Sequence, residues 1–163
     1  MHIATFKDMY IAELQELCNV ETQLAELLPG MAEVASNREL KSALTNHWQE
    51  TKAQSDRLEA LLRKHGADPK AHVDQAMQAL VNEAQKMASM LAGNLRDAGL
   101  IASAQKLEHY EIAAYGTAAA LAGQLNLRED QKILHDTLEE EKAADAMLTK
   151  LAKGEINRAA LAA

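Results

Sequence analysis

Carboxylates occupy places in this chain where a helical pattern asks for apolar side chains. They are Glu21 in LCNVETQLAELL, Glu50 in HWQETKAQ, Glu108 and Glu111 in LEHYEIAAYG, and Glu141 and Asp145 in TLEEEKAADAML. Carboxylate oxygens are hard donors suited to Fe, Mn, Mg or Ca. Glutamates projecting inward from several helices are the ligand pattern of a carboxylate-bridged metal pair. His47, three residues before Glu50, adds an imidazole to the candidate set, and Gln54, four residues after it, adds an amide oxygen.

Those residues can meet only if helices carry them to one level. Breakers at Pro29-Gly30, Ser36-Asn37, Gly66 to Pro69, Asp97 to Gly99 and Asn126 divide the chain. They predict helices over 3–35 with a kink at Pro29, then 38–65, 71–95, 99–125 and 128–152. Asn37 and Asn126 stand at the N-cap places. Residues 154–163 form a short docked or frayed extension. Along the first helix Tyr10, Leu14, Leu17, Glu21, Leu24, Leu28, Met31 and Ala35 alternate spacings of four and three, the seam of a bundle helix. The second reads Leu40, Ala43, His47, Glu50, Gln54, Leu58, Leu61. The fourth reads Ile101, Ala104, Glu108, Glu111, Tyr115, Ala119, and the fifth Leu134, Leu138, Glu141, Asp145, Leu148. The third carries an uninterrupted apolar face (Val73, Met77, Leu80, Ala84, Met87, Leu91) and is read as a covering crossover.

At about 1.5 Å per residue, Glu21 and Glu50 each lie about 21–24 Å from their shared turn, as do Glu111 and Glu141 from theirs. With the two hairpins running in opposite directions, both acid layers fall near mid-bundle. A glutamate on a helix seam is ordinarily half-exposed or salt-bridged, but partners are scarce here. No Lys or Arg occurs from Asp8 through Asn37, and Lys106 is alone between Asp97 and Arg128. Arg57 can neutralise one carboxylate. Several unpaired buried charges, each costing several kcal/mol, would rival a total stability of about 5–15 kcal/mol. Bound cations resolve that conflict.

Composition narrows the class. The 163 residues are 48% hydrophobic, weighted to Ala, Leu and Met, with one Trp, three Tyr and one Phe, which favours an all-α domain over sheet. A net charge of −7 is the wrong sign for nucleic-acid binding. No apolar run reaches the length of a membrane span, and MHIATFKDMY lacks a secretory layout. A single cysteine, Cys18, excludes an internal disulfide and fits a reducing cytoplasm. His2, His65, His72 and His135 fall near helix ends and are read as solvated; His109 points away from Glu108 toward a supporting role.

LCNVETQLAELLPGMAEVAS, HWQETKAQSDRLE, LEHYEIAAYGTAAALAGQL and TLEEEKAADAMLTKLA together resemble the ferritin-like YciE/YciF stress-protein family over nearly the full length. The resemblance implies a four-helix ferritin-like core with an extra helix, a homodimer, and a dimetal centre in a bacterial stress-response protein. It implies no defined reaction. The wider ferritin-like pattern has Glu-x-x-His on two helices, whereas Ala53 and Ala144 stand at the histidine places here, leaving Gln54 and Asp145 as oxygen substitutes. Two functional readings follow. One is a dimetal protein handling oxygen, peroxide or iron, with Glu21, Glu50, Glu108, Glu111, Glu141 and Asp145 as ligands. The other is a non-catalytic dimeric stress or binding protein with a vestigial acidic core.

Overall fold

In the computed structural model, which describes residues 3–163, long helices dominate: α1 Phe6–Val34, α2 Arg38–Lys64, α3 Gln75–Met90, α4 Gly93–Gln124 and α5 Arg128–Leu151. A π-helical turn, Ala152–Ile156, leads to the short α6, Asn157–Leu161. No strand occurs among the described residues. The chain is all-α, as its composition predicts. Short turns make hairpins of α1 with α2 and of α4 with α5. The hairpins face each other through α1 against α4 and α2 against α5, and α3 covers α1 and α4.

Local chemistry sets the boundaries. Thr5 and Asp8 form a reciprocal capping box at the start of α1, and Asn37 caps α2 through Glu39 N and Leu40 N, both at 2.9 Å. The helix α1 runs on through Pro29, whose missing N–H strips the Ala25 carbonyl of its intrahelical donor. The Trp48 indole N–H donates to that carbonyl at 3.1 Å, so a defect in α1 becomes a bond to α2.

Three boundary expectations need correction. The crossover is shorter than 71–95, because Asp74 is its N-cap: the carboxylate accepts from Met77 N and the Tyr110 hydroxyl, while Asp74 N donates to Asn19. Val73 lies outside the helix and is exposed. Second, α4 begins at Gly93 and passes straight through Asp97–Gly99. Asp97 is no breaker; its two carboxylate oxygens accept from Ser36 N and Asn37 N at 2.8 Å, capping the α1–α2 turn from across the bundle. Third, Asn126 does not cap α5. With φ of +57° it ends α4, and Leu127 N reaches back to Ala122 O at 3.0 Å in a Schellman-type closure. The C-terminal extension docks through buried Ile156. His2 lies outside the described residues.

The apolar core is in two parts. One gathers Leu24, Leu28, Leu40, Leu44, Met77, Ile101 and Leu148; the other gathers Tyr10, Leu14, Leu17, Leu58, Leu62, Leu134 and Leu138. The buried residues between them on α2, α4 and α5 are polar. At the second end Asp130, fully buried, accepts from the Tyr10 hydroxyl at 3.0 Å and from Lys64 at 2.8 Å and lies 2.6 Å from the His65 ring. His65 is therefore a half-buried partner of Asp130, not a solvated residue. Cys18 is buried in the same half, and burial pushes its thiol up to about 12, leaving it inert.

Candidate metal centre

Between the two apolar halves, α1 contributes Glu21, α2 contributes His47, Thr51 and Gln54, α4 contributes Glu108, Glu111 and Tyr115, and α5 contributes Glu141; all are buried. Each arrives by helical phase. The buried side of α2 is Leu40, Leu44, His47, Thr51, Gln54, Leu58, Leu61, alternating steps of four and three. His47, Glu108, Glu111 and Glu141 each offer a ligand atom, and these atoms lie within 4.8 Å of one another. His47 Nε2 is 3.2 Å from Glu108 Oε1. The Gln54 amide donates to Glu141 and, at 3.1 Å, to Glu140; the Tyr115 hydroxyl donates to Glu21. Arg57 closes the outer edge with a two-pronged contact to Glu140.

Two residues expected in the cluster are elsewhere. Glu50 has a side chain 53% exposed and meets only His47 Nδ1, at 3.9 Å, among its ion-pair contacts. The inward phase passes through Leu44 and Thr51 rather than Ala43 and Glu50, and Thr51 stands about 100° further round the helix than Glu50. Asp145, 22% exposed, turns to the α4–α5 flank, where Gln105 donates to it at 2.9 Å and His109 lies at 3.4 Å. Glu21, Glu108, Glu111, Glu141, His47 and Gln54 do come together. Thr51 escaped the sequence reading, although the four-and-three spacing through His47 and Gln54 contains it. Glu140 escaped as well, and Arg57 on the facing helix was its signal.

The cluster is rich in unmet polar atoms. Both oxygens of Glu111 lack a hydrogen-bond partner, as do Glu21 Oε2, Glu108 Oε2, Glu141 Oε2, Gln54 Oε1, Thr51 Oγ1 and His47 Nδ1. At roughly 1–3 kcal/mol each, such a set is not left bare in a stable fold. Protons or cations must answer it. Burial, then the charge of Glu141, pushes Glu21 up to about 8 against the opposing pull of Tyr115, His47 and Arg57. Burial also holds Glu108 and Glu111 well above the ordinary carboxylate range, and raises Glu141. Burial alone would lower His47; the contacts with Glu50 and Glu108 and the charges of Glu141 and Glu21 outweigh it and lift the ring to about 9. One imidazole nitrogen and a majority of hard oxygens suit Fe or Mn, and Mg or Ca less selectively. The donor set fits a divalent cation.

A groove of about 640 Å³ runs between α2 and α5 and reaches this cluster at His47 and Glu108. Its mouth carries Arg38 and Glu39, and Leu44, Met147, Leu148 and Leu151 line its walls.

Residues 5–161 match DUF892, a domain of unknown function. The chain belongs to this family. Within the DUF892 family, Protein YciF of Escherichia coli strain K12 is 41% identical over 162 residues, 98% of each chain. The crystal structure of that E. coli stress protein superposes with a TM-score of 0.90 at 41% identity, covering 95% of this chain and 99% of YciF. YcfI from Rhodopseudomonas palustris superposes at 0.87 with 38% identity, covering 90% and 94%. The expected kinship with YciF-like stress proteins is thereby established. Among the described residues no helix is long and apolar enough to cross a membrane.

Proposed function

We propose that this DUF892 chain is a ferritin-like metal–carboxylate protein of the stress response, working as a cytoplasmic homodimer, whose central cluster holds divalent metal and acts on oxygen or peroxide. His47, Glu108, Glu111 and Glu141 would hold one ion, and Glu21 with Gln54 would border a second, as two-metal sites require. Such a pair would supply two-electron exchange with oxygen or peroxide. The chain's own part is to fix the carboxylates: Tyr115 orients Glu21, Gln54 orients Glu141, and the apolar halves exclude water. The observation that carries this reading is Glu111, fully buried with both oxygens unpartnered beside three other ligand-bearing side chains.

Elemental analysis after reconstitution of chelator-stripped protein with Fe²⁺ or Mn²⁺ tests it. Stoichiometric uptake that Glu111→Gln abolishes is the expected result, and trace uptake in the wild type overturns the proposal. One observation favours the rival non-catalytic reading: His47 meets Glu108 directly, so part of the acidity is balanced without an ion. Trace uptake would leave that reading standing.

A further inference from the structure

We propose that the groove between α2 and α5 is a binding site for a small amphiphile with an apolar body and a neutral hydroxyl head, an alcohol or a hydroperoxide, seated with its head against His47 and Glu108. Size is the first ground. Dioxygen and hydrogen peroxide need little more room than a water, whose share of liquid volume is about 30 Å³. The groove offers about 640 Å³, inside the range of roughly 300–1,000 Å³ typical of organic-ligand sites. A passage for a water-sized oxidant does not need that volume.

Lining chemistry is the second ground. Leu44, Met147, Leu148 and Leu151 make apolar walls, and Ala143 and Ala144 keep the α5 side shallow. Arg38, Glu39, Ser42 and Asn46 of α2 line it too, and it meets the cluster at His47 and Glu108. There His47 Nδ1 and Glu108 Oε2, on side chains almost wholly buried, have no hydrogen-bond partner. A hydroxyl matches that pair, since it donates to the carboxylate and can either accept from or donate to the ring nitrogen.

Charge decides the head group. A carboxylate head would enter among Glu39, Glu50, Glu108 and Glu140, against which Arg38 is the one Lys or Arg in the lining. An ammonium head has donors only and cannot accept from the ring. The neutral hydroxyl remains. This inference rests on the metal-centre reading only in making the hydroperoxide a substrate; the binding site itself is independent of any ion.

Calorimetric titration of the metal-free protein with 1-pentanol, 1-hexanol, 1-heptanol and 1-octanol is the experiment, with octanoate and octylammonium as head-group controls. Affinity is expected to rise about two- to fourfold per methylene, up to the full transfer value of a buried CH₂. Both charged analogues should bind at least about tenfold more weakly than 1-octanol, the direction set by unpaired charge at a desolvated site. Met147→Glu, at a half-exposed wall position that folding tolerates, should weaken 1-octanol binding by a similar factor without moving the thermal melt. Affinity independent of chain length, equal binding of the three heads, or indifference to Met147→Glu overturns the proposal. Manganese uptake measured on the same preparations separates the two readings. Protein that binds 1-octanol and no Mn²⁺ refutes the metal centre alone, and protein that takes Mn²⁺ but no alcohol refutes the groove alone.

Discussion

Replacing Glu21 with Gln isolates the electrostatic cost of the metal-free cluster. The amide keeps an oxygen for the Tyr115 hydroxyl and removes only the ionisable group. Folded Glu21 holds its proton to about pH 8, whereas the unfolded chain releases it near the ordinary glutamate value of 4.5. Between those limits the folded state binds more protons, so stability falls as pH rises, and below pH 4.5 the penalty vanishes. At about 1.4 kcal/mol per unit, the full window corresponds to about 3–5 kcal/mol, an upper figure because neighbouring acids share the protons. His47 adds to the same trend: its folded value of about 9 exceeds the ordinary 6.5, so its contribution is complete below 6.5 and is lost through 9. Urea melts of metal-free wild type and Glu21→Gln at pH 5, 6, 7 and 8 should therefore diverge, the variant gaining steadily on the wild type. Saturating Mn²⁺ should narrow the gap, since an ion bordered by Glu21 and present at a hundredfold excess over Kd adds about 2.7 kcal/mol to the wild type alone. Parallel pH profiles for the two metal-free proteins would refute the claim that these carboxylates share one desolvated site.

Further predictions rest on other contacts. Glu50→Gln and Asp145→Asn should leave Mn²⁺ stoichiometry intact in elemental analysis, while His47→Ala reduces it, because only His47 reaches the cluster. Asp130→Asn should cost about 1–3 kcal/mol in urea melts at pH 7 by weakening the bonds that Tyr10 and His65 make to a buried carboxylate, while Lys64 keeps Glu129. Burial alone would raise Asp130, but Lys64, His65 and Tyr10 hold it below its ordinary value, so its contribution is present above that value and lost as pH falls through the depressed one. Trp48→Phe should cost about 1–3 kcal/mol by orphaning the Ala25 carbonyl, and less in a Pro29→Ala background, where a backbone N–H returns; a double-mutant cycle reads the difference.

Sequence patterning located the helical hairpins and six of the eight candidate ligand residues because both depend on helical phase. Glu21, Glu108, Glu111 and Glu141 interrupt strong apolar stripes, and no alternative phase competes. On α2 two phases fit nearly as well, since Ala43 is as apolar as a seam residue needs to be and Glu50 follows His47 at a ligand-like spacing. Only packing against α1 and α5 selects Leu44 and Thr51. Asp145 keeps the seam phase, but a polar pair on α4, Gln105 and His109, draws its carboxylate sideways. Tertiary context likewise overrode turn chemistry: Asp97 resembles a local breaker until Ser36 and Asn37, some sixty residues earlier in the chain, present their N–H groups.

Asp97 and Asp130 fasten opposite ends of the molecule, each binding one hairpin to the other. A beam clamped at both ends cannot splay; it can only bow near its centre. The groove between α2 and α5 lies along that free span, and the Arg57–Glu140 pair ties the two helices together beside it. Widening that groove therefore needs one half-buried ion pair to part, while the end fastenings and the leucine-rich halves stay closed. Hydrogen exchange should register this as faster opening of the amides around Glu50 and Ala144 than of those around Leu40 or Leu62, with no loss of the global fold.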